Sequence, residues 1–335
     1  MRRITRVASV PALFVALLSQ VPASAADDVQ YTVTNAVTLQ AVGRDAQSPT
    51  ADQPITFGAK LVAAAPVTFD VAPGGNQGGS DEPPAGVQPV GAGSGWDLQW
   101  WDEFNGTAVD WGTKWRGHSS ALADNGRGNK GNQQMEYNLD RNCTESNGVV
   151  TMTAKREQYT SPSGEVYDWT SCLLSSNGSD GFTFRYGFIE SRAKLTFNVV
   201  DADGDPVSDQ RGFWPAFWTW QADGVNSWQE TDVYEQYSDN PRTLYLTSHV
   251  GAGGGCQVNL DFDPGADFHT YGADISASGT KFYIDGELVC DVAGAPSEDT
   301  YVIEDLYVYA RSGYQPVAQT ASAQKAIDYV RIWQR

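Results

Sequence analysis

The sequence predicts an all-β protein built as an antiparallel sandwich, and three observations predict it. Runs of β-branched and aromatic residues recur at short intervals between residues 96 and 335. Clusters of Gly, Asn, Asp and Ser separate them. No long segment keeps the 3.6-residue apolar period of a helix. The block of about 240 residues is within the range of a single sandwich. Its strands are expected in order. Residues 149–154 (VVTMTA) and 188–195 (FIESRAKL) alternate apolar and polar side chains. Residues 212–220 (GFWPAFWTW) place Trp214, Trp218 and Trp220 on one face, provided that Pro215 sits where no ladder bond is needed. Residues 230–235 (ETDVYE) carry three acids. Residues 281–284 (KFYI), 306–309 (LYVY) and 329–333 (YVRIW) are β-branched and aromatic runs between turn signals.

The chain divides ahead of this block. Arg2, Arg3 and Arg6 precede an apolar stretch, 7–18, that ends in Ala23-Ser24-Ala25, so residues 1–25 are expected to be a secretion signal. That stretch is too short to span a bilayer, and no later one is long enough, so no membrane anchor is expected. Residues 26–72 hold weak strand signals without Trp or Cys, and are read as an accessory or partly disordered segment. A carbohydrate-binding module is the alternative there, against which the small core and scarce aromatics count. Residues 73–95 are dense in Gly and Pro, the composition of a linker.

The formal net charge is −19. If the signal is removed, three of the 22 basic residues leave, and 19 face 41 acidic ones, a net charge of −22. Such a surface repels a polyanion and excludes nucleic acid as a partner. A neutral polymer fits it better. Cys143, Cys172, Cys256 and Cys290 include no C-x-x-C pair, and the chain has three histidines, so two disulfides in an exported protein are expected rather than a zinc site. Of the three connectivities, sequence proximity favours Cys143–Cys172 with Cys256–Cys290.

The chemistry is concentrated in Glu230-Thr231-Asp232-Val233-Tyr234-Glu235. On a strand, Glu230 and Asp232 share a face, with Cα atoms about 6.6 Å apart, while an unbroken strand sends Glu235 to the other side. One extra residue at Val233-Tyr234, a β-bulge, restores Glu235 to the face of Glu230. Crowded acids raise the pKa of at least one member. One ionised and one protonated carboxyl group about 5–5.5 Å apart is what retaining glycoside hydrolysis requires. A solvated acidic strand is the simpler alternative. The tryptophans upstream offer faces on which sugars stack, or else ordinary core packing.

With these blocks in view, the chain resembles glycoside hydrolase family 16, and most closely its endo-β-1,3-glucanase (laminarinase) branch. The resemblance is carried, in order, by 101–106 (WDEFNG), 186–192 (YGFIESR), the Trp214–Trp218 segment, the acid motif, 268–271 (FHTY), 281–286 (KFYIDG) and 328–331 (DYVR). It implies a concanavalin A-like β-jelly-roll sandwich with a concave substrate cleft and a retaining mechanism. It also implies Glu230 as nucleophile, Glu235 as acid/base and Asp232 as the acid that tunes the nucleophile. Trp214 and Trp218 become expected substrate-binding residues, as does His249, which matches a cleft histidine or else packs structurally. No cofactor is implied for catalysis. A structural Ca²⁺ on the convex side would use Asp328 and Glu103. The acidic stretch 198–211 does not fit an EF-hand loop.

The acid spacing is that of laminarinases and of the galactan-, agar- and carrageenan-cleaving branches, rather than the tighter pattern of lichenases. Thr231 departs from the usual aliphatic residue, and Trp228-Gln229 stand where Gly is common; both bear on substrate more than on chemistry. The expectation is a secreted monomer that hydrolyses a β-linked polysaccharide, foremost a neutral β-1,3-glucan. The alternatives are another β-glycan (galactan, agarose, mixed-linkage glucan) or a non-catalytic β-glucan-binding protein.

Overall fold

In the computed structural model, residues 81–178 and 181–335 are described, and they form two stacked β-sheets with a shared apolar interior. The expected signal, the segment 26–72 and residues 73–80 of the expected linker lie outside the described residues. The larger sheet has ten strands. Its path runs Glu287–Val292, Gly279–Ile284, His269–Ser276, Gly187–Val200, Ser322–Gln334, Val149–Lys155, Trp169–Ser171 and Glu136–Asn138. Asp97–Asp102 and Cys143–Ser146 pair onto it at the sides. The smaller sheet has six strands, in the order Gly254–Asn259, Thr243–Ser248, Glu230–Gln236, Phe213–Gln221, Thr300–Val308 and Leu173–Ser175. This is the β-jelly-roll sandwich that the sequence predicts.

Every strand expected between residues 96 and 335 is present, and most run longer than their apolar runs suggest. Gly187–Val200 and Ser322–Gln334 are paired side by side over most of their lengths. Between the sheets lie Trp169, Phe213, Phe217, Val233, Phe282 and Ile332, all essentially inaccessible to solvent. Burial of an aromatic or large aliphatic side chain of this kind contributes about 1.5–3 kcal/mol. At Gly212, φ is +104° and a Cβ would stand 2.2 Å from the Pro316 nitrogen, so the turn into Phe213–Gln221 requires glycine. Pro215 is in register with Leu306 on one side, while on the other the strand Glu230–Gln236 pairs only from Ala216 onward, so the proline sits where that second ladder has not begun.

The disulfides are Cys143–Cys172 and Cys256–Cys290, as proximity suggested, with Cα separations of 5.6 and 6.1 Å. Cys172 sits where the chain leaves the larger sheet after Trp169–Ser171 and enters the smaller one at Leu173–Ser175. The second bridge clips together the two outermost strands, Gly254–Asn259 and Glu287–Val292. It closes one edge of the sandwich covalently.

Residues 81–95, read from composition as linker, are bound to the sandwich. The Trp333 indole donates to the Val87 carbonyl at 3.0 Å, and the Val90 amide donates to Glu190 at 2.9 Å. Val87 and Ala92 pack against Trp96, Phe188 and Trp333. The segment has turn composition, yet its few apolar groups are seated on a tryptophan contributed from the far end of the chain.

Candidate active site

The strand Glu230–Gln236 loses register with both neighbours after Asp232. Opposite Phe213–Gln221, Tyr234 faces Phe217 and Asp232 faces Trp218, so Val233 is the extra residue. Opposite Thr243–Ser248, the shift falls between Asp232 and Glu235. This is the predicted bulge. It turns Val233 and Tyr234 into the core and brings Glu230, Asp232 and Glu235 to one cleft, together with Trp214, Trp218 and Tyr307. The opposite wall comes from the loop that carries Leu122, Asn129, Asn132 and Gln134.

Each carboxyl group has its own set of donors. The Trp214 indole donates to Glu235 Oε1 at 3.0 Å, and the Tyr237 hydroxyl lies 3.4 Å from the same oxygen, which leaves Oε2 to carry a proton. Burial pushes the Glu235 pKa up to about 8, the nearby Asp232 charge adds to this, and the indole N–H opposes it. Glu230 is pushed up to about 7, first by burial and then by Asp232, against the N–H of Trp228. Both groups are raised, and Glu235 is the higher, so on acidification from alkaline pH it takes the first proton.

Asp232 is buried beneath them and bonds His249, Nε2 to Oδ2, at 2.8 Å. Burial raises Asp232, and the imidazole opposes it; the same bond raises His249 to about 8. Below that pH the His249 ring carries a positive charge beside Asp232. His249 is placed by the ladder, because its amide donates to the Glu230 carbonyl at 3.0 Å.

The two expected stacking tryptophans line the cleft, but each is only 8% exposed. Trp214 stacks on Tyr237, with ring centroids 5.3 Å apart, and Trp218 donates its N–H to the buried Asp305 at 2.6 Å. Their N–H groups hold carboxylates, Trp214 that of Glu235 and Trp218 that of Asp305. The exposed indole beside the three acids is Trp228, 60% exposed, which the sequence marks only as a departure from the family pattern. Its signal was there: Trp228, Glu230 and Asp232 are spaced by two, the period that shares a strand face. Tyr237 and Tyr307 were also missed, since no motif marks them.

Glu103 and Asp328 are not gathered into a cation site. Arg331 clamps Glu103 with two bonds of 2.7 Å, and Arg192 bonds Asp328 at 2.8 Å. A calcium ion would have to displace a guanidinium from each, so these residues do not fit the expected metal. Strand pairing brings them together: Arg192 lies opposite Tyr329, next to Asp328, and Arg331 lies opposite Trp101, two residues before Glu103. In 198–211, Asp201 accepts the amides of Asp203 and Asp205, and Asp209 pairs with Arg211. Among the described residues, Glu230, Asp232 and His249 have ligand-type atoms within 4.8 Å of one another; His249 Nε2 bonds Asp232 at 2.8 Å and stands 3.9 Å from Glu230 Oε1.

The Glycosyl hydrolases family 16 model matches residues 129–331. The chain is 28% identical over 261 residues to the endo-1,3-1,4-beta-glycanase ExsH of Rhizobium meliloti (strain 1021), which covers 69% of this chain and 50% of that protein. It is 27% identical over 276 residues to glucan endo-1,3-beta-glucosidase A1 of Niallia circulans, covering 72% and 38%. The chain thus spans half or less of the length of these curated relatives. Among solved structures, the catalytic domain of an endo-1,3-beta-glucanase (laminarinase) from Thermotoga petrophila RKU-1 matches with a TM-score of 0.59 at 26% identity, covering 72% of this chain and 98% of that one. The endo-beta-1,3-glucanase of Pyrococcus furiosus matches at 0.58 and 26%, covering 71% and 94%.

Proposed function

The chain belongs to glycosyl hydrolases family 16, and from that membership and the carboxylate geometry we propose that it is a retaining endo-acting hydrolase of β-glucan, foremost of β-1,3-glucan. The observation that carries this reading is the bulge at Val233, which turns Glu235 onto the face of Glu230. A Glu230 oxygen attacks the anomeric carbon as the bond to the departing sugar breaks, and Glu235 gives its proton to the leaving oxygen. Water then attacks the glycosyl-enzyme from the same side, Glu235 takes its proton, and the bond to Glu230 breaks. Two inversions give net retention. The order of the two raised pKa values suits these roles, since the ionised partner attacks and the protonated one donates.

The names of the matched relatives support β-1,3-glucan as substrate, and the excess of acidic residues favours a neutral polymer. Retention of both Glu230 and Glu235 counts against a binding-only role. The expected signal and the two disulfides support secretion. No helix among the described residues is long and apolar enough to cross a membrane.

Incubation with laminarin, lichenan, β-galactan and agarose tests the proposal, with linkage analysis of the products. The wild type is expected to release β-1,3-linked oligosaccharides from laminarin. Glu235→Gln is expected to lower that rate about 10²–10⁴-fold, the usual contribution of a positioned acid. Unchanged hydrolysis by Glu230→Gln or Glu235→Gln overturns the assignment.

A further inference from the structure

We propose that Trp228 is a positioning residue for the nucleophile: its indole N–H holds Glu230 by Oε2 and leaves Oε1 to attack. This rests on the reading of Glu230 as nucleophile. Trp228 is the most exposed of the large apolar side chains among the described residues, yet its placement is defined on three sides. Its Nε1–H donates to Glu230 Oε2. Its ring lies over His249, with centroids 5.5 Å apart and planes within 12°. His249 in turn bonds Asp232 and stands 3.9 Å from Glu230 Oε1, so each oxygen of Glu230 faces a different neighbour.

The backbone beneath is anchored. Gln229 is buried, accepts the Ser297 amide at 2.8 Å and donates to Ser227 at 2.9 Å, so Trp228 is carried on a fixed peptide and not on a loose loop.

The chemistry of the arrangement follows from what faces Glu230. Asp232 and Glu235 come from its own strand, His249 from the end of Thr243–Ser248, and Tyr307 from Thr300–Val308. Burial and the Asp232 charge oppose ionisation of Glu230. A neutral N–H aimed at the carboxylate favours the ionised form without placing a positive charge beside an oxocarbenium-like transition state. The bond also restricts the carboxylate to one orientation, which is worth more in the transition state than in the ground state. The side chain is 60% exposed, so a sugar ring can lie against the indole face turned away from His249.

The test uses the full chain, with Trp228→Phe keeping a ring but no N–H, Trp228→Ala removing both, and Glu230→Gln as control. Exposure of the side chain means that neither Trp228 variant empties the core. In a ¹⁵N–¹H spectrum the indole resonance absent from Trp228→Phe belongs to Trp228. It is expected to move with the ionisation of Glu230 in the wild type and to lose that transition in Glu230→Gln.

In kinetics, Trp228→Phe is expected to lower kcat/KM on laminarin about tenfold on the acid side, to move the acidic limb to higher pH and to leave KM within about twofold, since a donor to a charged group is worth roughly one pKa unit. Trp228→Ala is expected to raise KM as well. The proposal is overturned if the indole titrates identically in Glu230→Gln, or if Trp228→Phe keeps the wild-type acidic limb. An indole that follows Glu230 in a protein that hydrolyses no β-glucan supports the Trp228–Glu230 bond and overturns the glucanase reading instead.

Discussion

Asp232 sits between the two proposed catalytic acids in sequence and in charge. Its carboxylate raises both Glu230 and Glu235, and its bond to His249 raises that imidazole. Neutralising it has a definite sign. With Asp232→Asn the repulsion on both glutamates is gone, so both pKa values fall, and the bell-shaped pH dependence of kcat/KM is expected to move to lower pH on both limbs. His249 also loses its partner and falls. A profile that keeps its position, with only its height reduced, would mean that Asp232 acts sterically. At this scale the sequence was informative for acids and weak for donors. The spacing of Glu230, Asp232 and Glu235 is a local pattern, whereas the donors of Glu235 are Trp214 and Tyr237, and only the fold places them at one oxygen.

At the scale of elements, the bulge was legible because a period of two allows few ways to bring acids five apart in sequence to one face. The lengths of the strands were not legible. Glu304 and Asp305 interrupt an apolar run, and Lys325 interrupts another, and all three are buried. Lys325 reaches from Ser322–Gln334 across the interior to Glu304 and to the carbonyls of Ala216 and Asp305, at 2.7 and 2.9 Å. It ties the larger sheet to the strands beneath the cleft floor, where Asp305 holds Trp218.

Breaking one side of such a pair strands a buried charge. Lys325→Met is therefore expected to cost about 3–5 kcal/mol in urea unfolding, and Lys325→Met with Glu304→Leu to recover part of it. A single variant within about 0.5 kcal/mol of wild type would show that the pair is dispensable. The seating of residues 81–95 on the sandwich is long-range in the same way. The composition of 81–95 is that of a flexible segment, but its carbonyl and amide partners, Trp333 and Glu190, lie far along the chain.

For the whole molecule, the sandwich followed from periodicity and turn residues, and the edge-closing disulfide from proximity in sequence. Charge excess bears on the polymer, but not on the linkage. Linkage depends on how the loop with Leu122, Asn129 and Asn132 meets the strand face, and loop conformation has no periodic signature. Glu103 and Asp328 do not fit calcium as they stand because Arg331 and Arg192, brought beside them by strand pairing, bond them.

The central claim is that Glu230 and Glu235 act from one face to give two successive inversions. Its most direct test is ¹H NMR of laminarin during the first minutes of hydrolysis. The account predicts that the β-anomer of the new reducing end appears first, with the α-anomer following only by mutarotation, and that Glu230→Gln produces neither. First appearance of the α-anomer would mean inversion and would contradict Glu230 as a nucleophile.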